Sequence, residues 1–84
     1  MPYIEQSRRV DLQPYLYITD KPQSVGELNY VITQLCREFL HRSKCSYADY
    51  NGVVGVLECA KLEFYRRAVT PYEDDKARQN GDVY

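Results

Sequence analysis

Two glycines three residues apart, Gly52 and Gly55, sit inside the longest helical period of this chain, Ser46–Val69 (SYADYNGVVGVLECAKLEFYRRAV). Each costs a helix interior about 0.8–1 kcal/mol relative to alanine, so the pair constrains what the segment can become. Tyr50, Val53, Val54, Leu57, Ala60, Phe64 and Ala68 recur at helical spacing and form one apolar face. Ala48, Gly52, Gly55 and Cys59 run beside it as a stripe of small residues. Either another helix or a second copy of the chain approaches the backbone closely there, or the helix bends near Asn51-Gly52. With Tyr50, the residues Gly52, Gly55 and Cys59 form the expected interface.

The rest of the chain supplies helices to accompany it. Ser24-Val25-Gly26-Glu27 has the form of a capping box, the serine hydroxyl taking the N3 amide while the glutamate returns to the cap amide. After it, Leu28, Val31, Ile32, Leu35, Cys36, Phe39 and Leu40 follow an amphipathic period, which predicts a long helix ending near Arg42. Arg37, His41 and Arg42 suit its negative C-terminal end. Ser43–Ser46 is a short polar turn, and short turns join antiparallel neighbours. Ser46 with Asp49 caps the next helix. Residues 1–10 show no period and are read as an extended arm. A short first helix is expected from the Asp11 cap, with Pro14 in its first turn, Leu12, Tyr15, Leu16 and Ile18 on its apolar side, and Thr19–Pro22 at its end. Beyond Val69, Thr70-Pro71-Tyr72-Glu73 reads as a restart with a threonine cap and proline at N1. A fourth short helix then runs to about Gln79, and Asn80-Gly81 stops it.

The expected fold is therefore all-α, a small helical bundle in one domain spanning residues 1–84. It has a short first helix, two long antiparallel helices, a short helix set off at Pro71 and a C-terminal tail over residues 80–84. With 84 residues, such a domain buries only about 60–65% of its unfolded surface, so its own core is marginal. Nine tyrosines against two phenylalanines and no tryptophan suit surfaces that are partly buried and partly wet. Small size, close-packing glycines and tyrosines together predict a homo-oligomer.

Composition narrows function by exclusion. A net charge of −1 speaks against broad nucleic-acid binding. No stretch approaches the ~18 apolar residues of a membrane span, and no signal peptide precedes the chain, so a reducing cytoplasm with free thiols is expected. Cys36, His41 and Cys45 fall short of the four closely placed ligands of a structural zinc site, and no metal or cofactor is expected.

The richest polar cluster follows the glycine segment. Lys61, Tyr65, Arg66 and Arg67, continued by Tyr72, Lys76, Asn80 and Asp82, combine cations with aromatic rings and a polar loop. Guanidinium groups match phosphate oxygens and tyrosines stack bases, so these eight residues are the candidate site for an anionic, nucleotide-type ligand. A solvated helix face is the alternative, with Glu58 pairing Lys61 and Glu63 pairing Arg67. The terminal Val83-Tyr84 is apolar enough to dock on its own or a neighbouring subunit.

Asn29–Ile32, Asn51, Gly55–Glu58, Ala60–Arg67, Pro71–Glu73, Lys76 and Asn80–Tyr84 resemble a family of short uncharacterised proteins of tailed bacteriophages and prophages, over roughly residues 24–84. The resemblance implies a phage-encoded protein acting in a bacterial host cytoplasm. Three functions are open on these grounds. One is a non-catalytic homo-oligomer that sequesters a nucleotide-type ligand against host defence. The second is a factor that binds a host or phage protein. The third is a small hydrolase using Glu58 or Asp75.

Overall fold

The computed structural model describes residues 1–17, 20–41 and 44–84. Among these every regular element is helical, and the all-α expectation holds. The helices are α1 (Gln6–Leu12), followed by a 3-10 turn at Gln13–Tyr15, α2 (Val25–Leu40), α3 (Tyr47–Phe64) and α4 (Thr70–Asn80). Two compact units divide the chain: Tyr3–Val53, and Val54–Tyr84 with Met1–Pro2.

In the first unit, the short helix lies earlier than its sequence predicts. α1 occupies the segment read as an arm, and Asp11 falls in its last turn. Pro14 ends this helix from the far side, because it has no amide to continue the ladder. The chain tightens instead: the Gln13 amide donates to the Val10 carbonyl, and the Leu16 amide donates to Gln13 at 2.7 Å. At the start of α1, the Glu5 carbonyl takes the amides of Arg8 and Arg9, each at 3.1 Å. Ile18 and Thr19, expected on this helix and at its end, lie outside the described residues.

α2 begins where its cap predicts. Ser24 has extended backbone, and its Oγ accepts the Glu27 amide at 3.1 Å. The Glu27 carboxylate returns one residue further back than a capping box requires, accepting the Gln23 amide at 3.2 Å. The last turn closes with the His41 amide on Glu38, so α2 stops at Leu40. Arg42 and Ser43, the expected helix end and the first residue of the turn, are outside the described residues. After them the Cys45 thiol donates to the Leu40 carbonyl at 2.7 Å. Asp49 accepts from both the Ser46 amide, at 2.9 Å, and the Ser46 hydroxyl, which seats the start of α3.

α3 passes through Asn51-Gly52 and Gly55 without a break. A Cβ added at either glycine would meet nothing within 4 Å, so no described residue makes the close approach expected at the small-residue stripe. Tyr50 and Cys59 beside it are exposed as well.

The restart expected at Thr70-Pro71 does not occur. The backbone stays helical from Tyr47 to Asn80, 34 residues, through a π turn at Tyr65–Val69. In a regular α ladder, proline leaves its i−4 carbonyl without a donor and its ring presses on that carbonyl. The π turn lies immediately before Pro71 and widens the ladder by one residue: the Thr70 amide donates to Tyr65, five residues back. Thr70 accordingly has helical dihedrals (φ −58°, ψ −49°) and caps nothing. α4 ends at the expected residue, Gly81, whose φ of +91° L side chains avoid.

No described residue is buried, and all nine tyrosines are exposed. The apolar face of α2 is uncovered: Leu28 is 49% exposed, Ile32 40%, Leu35 49% and Phe39 51%.

Candidate functional site

All eight residues of the predicted ligand site lie in the second unit, on the α3–α4 helix and the segment after it. Two of their four cations are matched by carboxylates one turn away. Lys61 Nζ lies 3.0 Å from Glu58, and Arg66 Nη2 lies 2.8 Å from Glu63. Glu63 is thus engaged three residues on, by Arg66, where the sequence suggests Arg67. Arg78 and Asp75 form a third such pair. Exposed pairs of this kind contribute a few tenths of a kcal/mol each. Arg67 has no ion pair among the described residues, and Lys76 sits 5.6 Å from the centre of the Tyr72 ring.

Tyr65 is tied to Glu73. Its hydroxyl donates to Glu73 Oε1 at 2.6 Å, across the π turn. An unbroken α-helix places residues eight apart too far along the axis for such a bond to be foreseen from helical spacing. Losing the phenolic proton would break this bond and set a phenolate beside a carboxylate, so the Tyr65 pKa is raised. The raised value means that the contact contributes while pH is below the ordinary tyrosine pKa, and is lost as pH rises through the folded one. In an absorbance titration of the nine tyrosines, one phenol is therefore expected to ionise late, and Tyr65→Phe is expected to remove that step. A late step that survives in Tyr65→Phe belongs to another tyrosine and breaks the assignment.

Lys76, Asn80 and Asp82 come together. With Glu73, Asp74 and the tail they line an open groove of about 530 Å³ along α4. Three carboxylates face one lysine there, which repels an anion. Lys61, Tyr65, Arg66, Arg67 and Tyr72 do not line it. The tail lies open to solvent rather than docked on its own chain: Val83 is 93% exposed, and the Tyr84 amide turns back only to Asp82, at 2.9 Å. Among the described residues no three His, Cys, Asp or Glu side chains gather as metal ligands, and no helix is long and apolar enough to cross a membrane.

A family model described as a domain of unknown function (DUF6899) matches residues 1–83, so the match takes in the N-terminal segment as well as the motifs of the C-terminal half. No curated protein and no solved structure matches the chain.

Proposed function

We propose, for a chain that belongs to the DUF6899 family, non-catalytic binding by protein–protein association, in which the chain assembles with copies of itself and works in assembled form. One observation carries this reading: within the unit Tyr3–Val53, α2 leaves its apolar face uncovered, with Leu28, Ile32, Leu35 and Phe39 each at least 40% exposed. Leaving a face such as that of α2 in water forfeits the main favourable term of folding.

An anionic, nucleotide-type ligand has a weaker footing. Lys61 and Arg66 already face carboxylates, and the one groove that gathers predicted residues is acidic. Glu58 and Asp75, the acids a hydrolase reading would use, are held in exposed pairs with Lys61 and Arg78. In the setting that the resemblance implies, any further partner of the assembly would be a host or phage protein. Light scattering on the eluting species tests the reading. A mass that is a multiple of 9.9 kDa at micromolar concentration is expected. A 9.9 kDa particle that unfolds cooperatively would sink it.

A further inference from the structure

Five apolar residues of α2, Val25, Leu28, Ile32, Leu35 and Phe39, follow one another at alternating spacings of three and four residues. That is the a/d spacing of a helix–helix seam, a narrow stripe that faces a partner helix along its whole length. Deepening the self-association just proposed, and resting on it, we propose that this stripe is the contact between copies, occupied by the same stripe of a second chain running antiparallel to it.

Three observations select this occupant. The first is the face itself: α2 is the most amphipathic of the long helices, and its own unit leaves the apolar side uncovered. The second is charge. The borders of the stripe within α2 are Ser24, Asn29, Val31, Cys36 and Glu38, and Lys21 stands beside Val25 and Leu28, so a cation flanks one end and a carboxylate the other. An antiparallel copy brings the Lys21 end of each stripe to the Glu38 end of the other, so identical stripes meet with opposite charges. The third is symmetry. Ile32 stands midway between Val25 and Phe39, so a two-fold axis at Ile32 sets each chain's Val25 opposite the other's Phe39. The antiparallel sense also holds the two Glu38 side chains at opposite ends of the seam and opposes the helix dipoles. On the Val31 side, Pro14 and Tyr15 line an apolar groove of about 320 Å³ with Val31 and Leu35.

The small-residue stripe of α3 is not needed for this contact, which sets the seam apart from the interface expected at Tyr50, Gly52, Gly55 and Cys59.

Two measurements on the full chain test the seam. In sedimentation equilibrium, replacing Ile32 and Leu35 together by lysine is expected to weaken association by at least about 100-fold, since central apolar side chains carry most of an interface's energy. An unchanged oligomer in that variant overturns the seam while leaving self-association intact. A monomeric parent chain overturns both. Because the double variant also tests folding, a cysteine scan supplies a readout in which the stripe stays apolar. With Cys36, Cys45 and Cys59 changed to serine, Ile32→Cys is expected to form a disulfide-linked dimer on mild oxidation. Arg37→Cys, on the opposite side of α2, is expected to stay monomeric on a denaturing gel. Equal crosslinking at both positions, or none at Ile32→Cys, rejects the proposal.

Discussion

Replacing Gly52 and Gly55 together by alanine is expected to stabilise the chain by about 1.5–2 kcal/mol, because each glycine costs a helix interior nearly 1 kcal/mol and neither has a neighbour to clash with an added methyl group. In a domain of this size that is a rise in Tm on the order of 10 °C. Calorimetric or circular-dichroism melting measures it. The sign is informative. If α3 were held against a second copy at its small-residue stripe, two new methyl groups would force the backbones apart, and both Tm and oligomer mass would fall. A rise with the mass unchanged leaves α2 as the place where copies meet.

The second large effect lies at Pro71. Proline is about 3 kcal/mol less favourable than alanine in a helix interior, and the π turn at Tyr65–Val69 is how this helix accommodates it. Pro71→Ala restores the missing amide, so the ladder is expected to close to regular α spacing and the helix to gain stability. Part of the gain is offset. Removing the extra residue from the π turn rotates everything after it by one position, which takes Glu73 away from the Tyr65 hydroxyl. The late-ionising tyrosine is then expected to disappear in Pro71→Ala, as it does in Tyr65→Phe, while backbone amide exchange around Thr70 slows. Should the late ionisation persist in Pro71→Ala, the π turn is held by something other than the proline. The Tyr65–Glu73 contact would be the first alternative.

Much of the candidate site was legible in the sequence as a set of residues and not as an arrangement. Lys61, Tyr65, Arg66 and Arg67 fall on one helix, as their spacing requires. What their spacing left undecided is which carboxylate each cation meets. Helical spacing puts Glu63 within reach of both Arg66 and Arg67, and the structure pairs it with Arg66 at 2.8 Å. The Tyr65–Glu73 bond had no sequence signal, since regular helical spacing does not pair residues eight apart and the π turn between them was not foreseen. The grouping of Lys76, Asn80 and Asp82 depended on how the tail leaves α4 at Gly81, a dihedral that glycine permits but does not dictate.

Local chemistry alone determined the all-α class, the Ser24 start of α2, the helical run from Tyr47 and the stop at Gly81. These rest on hydrogen bonds and periods within a few residues of each other, so the sequence carries the whole cause. The structure decided what short-range rules leave open. Pro14 ends α1 from its far side instead of opening a helix. Pro71 is carried inside a continuous helix because a turn upstream can widen. Gly52 and Gly55 face open space. A helical period shows that an apolar face must be covered, but it does not say by what. Only the three-dimensional arrangement shows that the face of α2 is left uncovered by the described residues of its own unit.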